Sequence, residues 1–279
     1  MKFLLSSWIA FLFATTISAQ KSEYTSLSIP DSLKQNANAV VRLDQIDILI
    51  LSQRSMNIKN KRVVTVLNEK GQEAINAYEY YNKKTTIENI QATVFDGFGN
   101  EIKKIKRKDF RDQCATDGGT VFSDNRYLFI DYTPTLYPFT IIYESEVETS
   151  TTAFIPQWFP LNDYHLSVEK SVLNVSYPDN LGFKKMEFNF SNFKINKTVD
   201  SSTKLSYVAT NIPALKQEDY SPAYSVFPKV MMGLELFHLE GVKKKNLYVI
   251  SDDIVLDAGL RSGSIAGLAS EEMDDIFPL

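Results

Sequence analysis

The 279-residue chain has one cysteine, Cys114, and only two histidines, His165 and His238. A single thiol excludes an internal disulfide. One Cys with two distant His also cannot supply the clustered ligands of a zinc site. The fingerprints of calcium loops, phosphate loops and dinucleotide sites are absent, so neither a metal nor a cofactor is expected. Charge of one sign is scarce as well. Thirty Lys and Arg face 34 Asp and Glu, a net charge of −4, and mild acidity argues against a nucleic-acid partner. Beyond the N-terminus no apolar run reaches the ~18 residues that cross a bilayer, and there is no fixed-period repeat or low-complexity linker.

What is present begins with "MKFLLSSWIAFLFATTISAQ". Lys2, an apolar stretch from Phe3 to Ala14 and the small-residue site Ile17-Ser18-Ala19 form the anatomy of a secretory signal peptide over residues 1–19. Export to the periplasm or cell exterior is therefore expected. About 260 remaining residues can bury roughly three quarters of the unfolded surface, so a core without disulfide staples is feasible in an oxidising compartment.

Aromatic and β-branched residues gather in short runs, the composition of a pleated, half-buried surface. "RVVTVLNEKGQ" reads as a strand closed by a turn at Asn68 to Gly71, and "IQATVFDGFGNEIKKIKRKDF" as a hairpin around "DGFGN". "RYLFIDY", "YPFTIIYESEVET", "YHLSVEKSVLNVSYP", "FKKMEFNF" and "KLSYVATNIPAL" follow as strands. In the second of these, Ile141, Tyr143 and Val147 alternate with Ile142, Glu144, Glu146 and Glu148, one face inward and one outward. The pattern predicts an all-β protein, an antiparallel β-sandwich over residues 20–240. Residues 241–279 read as a marginal helix or disordered tail, since Gly259, Gly263 and Gly267 each weaken a helix by about 1 kcal/mol.

Candidate chemistry starts with Cys114. A cysteine amidase using Cys114 and His165 needs the pair within reach and a third group to orient the base. "CATDGG" reads as a loop, so a small structural residue is the preferred reading. "KKIKRK" at 103–108 is either a surface that binds anionic polymers or headgroups, or a solvated hairpin arm whose lysines block edge pairing. In "TAFIPQWFPLNDYH", Phe154, Trp158, Phe159 and Tyr164 form the candidate ligand-binding group, of the kind that recognises carbohydrate or peptide. "DGGTVFSDNR" supplies Asp117, Asp124 and Asn125 as polar neighbours. In "PKVMMGLELFHLEGV", Met231, Met232, Leu234, Leu236, Phe237 and Leu239 offer an apolar surface for a partner.

The segments "DGFGNEIKKIKRKDF", "DGGTVFSDNRYLFIDYTPTLYPFTIIYESEVETSTTAFIPQWFP" and "YHLSVEKSVLNVSYP" together resemble an uncharacterised exported domain of Gram-negative bacteria. In that family the domain stands in front of a transglutaminase-like, papain-related cysteine-hydrolase domain. The likeness spans roughly residues 35–240 and implies a β-sandwich without catalytic residues, the family's Cys-His-Asp triad lying in the downstream domain. No Cys or His follows His238 to rebuild that triad. The expectation is thus a non-catalytic exported binding or scaffolding module of the cell envelope, with a carbohydrate or peptide ligand or a separately encoded transglutaminase-like partner.

Overall fold

The computed structural model describes residues 24–115, 124–217 and 226–238. Segment 1–19, expected to be a signal peptide, Asp117, Leu239 and residues 241–279 lie outside the described residues. Thirteen strands are described: β1 (Ala39–Ser52), β2 (Ser55–Val66), β3 (Tyr78–Tyr81), β4 (Thr85–Asp96), β5 (Glu101–Lys106), β6 (Arg111–Cys114), β7 (Arg126–Phe129), β8 (Phe139–Thr149), β9 (Leu166–Ser176), β10 (Phe183–Phe188), β11 (Ile195–Asp200), β12 (Lys204–Ile212) and β13 (Lys229–Leu234). One short helix, α1 (Asp31–Lys34), precedes them.

The main sheet has the order β11-β12-β9-β1-β2-β8-β4-β5. Every junction is antiparallel except β1–β9, which is parallel. Two smaller antiparallel sheets, β10-β13 and β3-β7-β6, pack on one face. The result is an all-β sandwich with its core between the large sheet and the two small ones. On the opposite face α1 seals one end, where Ile29, Leu33 and Val40 form a separate buried cluster.

Period-2 alternation builds this arrangement. Along β8, Ile141, Tyr143 and Val147 are buried while Glu144 and Glu146 face outward to pair with Lys61 and Lys59 at 3.0 Å each. The β4–β5 hairpin turns as its "DGFGN" predicts. Asp96 accepts from the backbone N–H of Phe98 and of Asn100 at 2.9 Å, and Gly99 takes φ 88°, a conformation that favours glycine.

The central strand β1 carries charge into the sheet. Arg42 is buried and is bound by Glu169, by the Thr25 carbonyl at 3.0 Å and by Ser28 Oγ at 2.9 Å. Asp44 meets Arg62 Nη1 at 2.9 Å, and the rest of that guanidinium donates to the Ala74 carbonyl. Buried charges are tolerated when paired and hydrogen-bonded in this way.

Two expectations are corrected. The segment read as an exposed apolar docking surface contains β13, and Met231, Met232 and Leu234 are buried by its pairing with β10 and its packing on the core. A hydrophobic run at the end of a domain can equally be its last strand, and here the backbone ladder claims it. Cys114, expected to be a packed interior residue, is exposed at the end of β6, because β6 is an edge strand of the three-stranded sheet.

Candidate functional site

The aromatic group proposed around residues 154–164 does not form one exposed patch. Trp158 is fully buried, stacked on Tyr207 at 5.8 Å and donating its indole N–H to Ser171 Oγ at 2.9 Å. Its backbone bridges Val230 of β13, so the ring closes the sandwich between β9, β12 and β13. Phe159 and Tyr164 are half-buried, and Tyr164 packs on Phe227 at 5.1 Å. Phe154 alone of the four is exposed. Large rings at a proline-rich corner are drawn into the core by their area, which is the competing reason for this composition.

The polar half of the proposed site lies elsewhere. Asp124 pairs with Lys83 at 2.6 Å, and Asn125 accepts from Asn82 Nδ2 at 2.8 Å and, through its carbonyl, from Ala115 N at 2.8 Å. Both residues stand just before β7 and so border the three-stranded sheet β3-β7-β6.

That sheet carries the most regular exposed aromatic surface of the described residues. In β3, Glu79 and Tyr81 turn inward while Tyr78 and Tyr80 turn outward, 43% and 41% exposed. In β7, Leu128 is buried against the core, leaving Tyr127 and Phe129 on the outer side. The register sets these residues in two cross-strand rows, Tyr80–Tyr127–Gln113 and Tyr78–Phe129–Arg111. Ring centroids are 5.6 Å apart for Tyr78–Tyr80 and for Tyr80–Tyr127, and 5.4 Å for the stacked Tyr127–Phe129 pair. The polar ends are ordered as well: Tyr127 donates its hydroxyl to Gln113 at 2.8 Å, and Arg111 pairs with Asp131.

The inner side of the same sheet is held by polar contacts. Arg126 Nε reaches Asp112 at 3.0 Å and the Tyr81 hydroxyl at 3.0 Å, and its Nη1 lies 3.2 Å from Cys114 Sγ. Burial works against ionisation of Asp112, but hydrogen bonds from Tyr81 and Arg126 and the Arg126 charge bring its carboxyl below the usual range. Glu79 accepts from Asn60 Nδ2 at 2.9 Å, Tyr143 OH at 3.3 Å and the Ser145 hydroxyl. Burial pushes its carboxyl up in spite of those donors. Burial likewise raises the Tyr78 phenol, helped by Tyr80 and by the Glu79 charge and opposed by Arg62.

Cys114 and His165 are engaged separately. His165 Nδ1 lies 3.0 Å from the Asn36 carbonyl, and the His165 backbone bonds Leu215 and Asn38. No group of three or more His, Cys, Asp or Glu that would hold a metal occurs among the described residues, and no helix there is long and apolar enough to cross a membrane. Two surface depressions of about 430 and 480 Å³ are lined mainly by polar and charged side chains, among them Arg54, Lys83 and Glu148 in the first and Arg42, Gln45 and Glu169 in the second.

The aromatic rows were missed in the sequence because each half sits on a four-residue strand. The signal was there as "YEY" and "YLF", rings at i and i+2 around one inward residue, on two strands that pair.

The architecture is similar to the crystal structure of a protein described as a candidate protease from Parabacteroides distasonis. The TM-score is 0.55 at 13% identity, covering 70% of this chain and 40% of that one, a likeness that speaks for the fold alone. A variant of an M1 zinc metallopeptidase from Deinococcus radiodurans matches 70% of this chain and 42% of its own at 7% identity, with a TM-score of 0.29, and carries no argument. The chain thus spans about two fifths of the length of these structures. The profile of a domain of unknown function with a solved structure, DUF3857, matches residues 52–216, more than half of the chain, and the protein belongs to that family.

Proposed function

We propose that the protein is an exported, non-catalytic binding module of the cell envelope, and that it binds ligand on the outer face of β3-β7-β6. The outward aromatic rows carry this reading. Four rings joined in a chain of contacts, Tyr78–Tyr80–Tyr127–Phe129, with Gln113 and Arg111 at one edge, form an apolar platform with a hydrogen-bonding rim. Such a surface suits a carbohydrate, whose C–H faces lie on rings while its hydroxyls take the rim. The signal-peptide pattern of residues 1–19 supports export. The separate engagement of Cys114 with Arg126 and of His165 with Asn36 supports a non-catalytic role over a cysteine amidase.

The test is a glycan and peptide array screen, followed by titration of the best binder. Tyr80→Ala with Tyr127→Ala is expected to abolish binding while leaving the melting temperature close to that of the parent. Unchanged affinity in that double variant overturns the assignment of the face.

A second reading has one observation in its favour: the chain spans about two fifths of a structure described as a candidate protease. In this reading the module resembles the accessory domain that precedes transglutaminase-like hydrolases, and the same face docks a separately encoded hydrolytic protein. Binding of such a protein that the double variant abolishes, with no array binder found, would select it.

A further inference from the structure

The three most exposed large apolar side chains among the described residues are Leu136, Leu27 and Phe98, at 78%, 75% and 66%. They are distant in sequence but come from loops tied together at one end of the main sheet. Ser26 donates to the Gly97 carbonyl through its backbone N–H at 3.0 Å and its hydroxyl at 2.7 Å. The turn bearing Leu27 is thereby fixed to the hairpin tip bearing Phe98. Gly97 in turn packs against Pro138, since a Cβ built on it would sit 3.1 Å from the proline Cγ, which brings in the loop bearing Leu136. Ile102, 52% exposed, opens β5 beside the same tip.

Single exposed apolar residues are ordinary. Three large ones raised together on braced loops are not, because water penalises the whole group unless something covers it. The charge next to them says what that is. β5 rises from the tip with Lys103, Lys104 and Lys106, the run singled out in the sequence as "KKIKRK". Lys103 lies 5.9 Å over the Tyr132 ring, and Lys104 pairs with Glu101 at 3.3 Å. Residues 96–109 hold five basic and three acidic side chains, so a second copy meeting this end tip to tip would bring two net-positive segments together, which repels. An anionic lipid surface accepts both the apolar tips and the lysines. The described chain also begins here: Tyr24 receives a hydrogen bond at its carbonyl from Thr140 Oγ1 at 3.2 Å.

We propose that Leu27, Phe98 and Leu136 form the apolar prongs of a membrane-interface site, flanked by Lys103 and Lys104 on the two faces of β5 as headgroup contacts, and that its ligand is a bilayer surface rich in anionic lipid. The site is distinct from the aromatic rows and would orient them relative to the membrane.

The experiment is co-sedimentation of the chain from Gln20 onward, the exported form on the reading above, with phosphatidylcholine vesicles, with and without phosphatidylglycerol. Binding is expected to the anionic vesicles, to weaken on adding salt, and to fall by about tenfold or more in the variant Leu27→Ser, Phe98→Ser, Leu136→Ser. These positions are exposed, so thermal melting of that variant should match the parent. Lys103→Glu with Lys104→Glu should erase the preference for phosphatidylglycerol. In Phe98→Trp, the added emission should shift blue on binding and be quenched by brominated lipid chains. Failure of the parent to bind anionic vesicles overturns the proposal. So does parent-like binding by the triple variant. An unquenched Phe98→Trp overturns it too, as does a parent that self-associates through these tips instead of binding lipid.

Discussion

Trp158 lies stacked on Tyr207 with 5.8 Å between ring centroids and 27° between planes, and Phe190 meets both rings edge-on. This aromatic trio, with the Trp158–Ser171 hydrogen bond, locks the segment after β8 onto β9 and β12. Trp158→Ala is expected to cost about 3–5 kcal/mol. Trp158→Phe keeps part of the stack but leaves the Ser171 hydroxyl without its donor, for about 1–3 kcal/mol. Chemical denaturation measures both, and a Trp158→Ala loss below that of Trp158→Phe would contradict the packing described.

Glu79 gives stability a pH dependence. Burial raises its carboxyl above the usual 4.5 in the folded protein. A group raised on folding contributes stability that is complete below the unfolded value and lost as pH climbs through the folded one. Glu79→Gln is therefore expected to be more stable than the parent at neutral pH, with the advantage disappearing as pH falls toward and below about 4.5. Melting temperatures of the two proteins across that range decide it; a constant difference would show that the carboxyl is not the cause.

Cys114 is exposed beside Arg126. Alkylation of the native protein is expected to proceed within about tenfold of the rate in the denatured chain, since access and not unfolding controls it. Protection in the native state would mean that β6 is covered.

Gly71 tests a close approach of backbones. A Cβ at this position would run into the carbonyl of Asn38, which also accepts from Leu67 N at 2.9 Å where β1 begins. Gly71→Ala is expected to cost about 1–3 kcal/mol through displaced backbone, with little effect on ligand or vesicle binding. A neutral substitution would show that the turn shifts freely.

Much of the fold was legible in the sequence, and the exceptions have physical causes. β8 announced itself because one of its faces is apolar and the other acidic. The β4–β5 hairpin did so because its turn needs Asp96 and Gly99. β1 escaped notice although it is central, because Arg42, Asp44 and Asp47 interrupt its apolar pattern. Only the fold supplies their partners Glu169, Arg62 and Asn174. β13 reads as an apolar docking surface in the sequence because its partner β10 lies some forty residues earlier. The candidate site was legible only in its polar part. Asp124 and Asn125 border the three-stranded sheet, whereas the rings chosen from composition include a core tryptophan. Composition reports how many rings there are, and only strand pairing reports which way they face.

The parallel junction between β1 and β9 joins two blocks that are each local in sequence, β1, β2, β8, β4 and β5 on one side and β9, β12 and β11 on the other. Across this seam Arg42 clasps Glu169 and Asp47 clasps Asn174, residues 127 positions apart. A chain delivered N-terminus first can complete the earlier block while β1 still has one bare edge. That edge waits for β9, and loop closure over such a span is slow. The charged residues that obscured β1 in the sequence therefore have a second use. While the edge is open, Arg42 and Asp47 make it a poor template for a neighbouring chain, and once β9 arrives they become the clasp that shuts it.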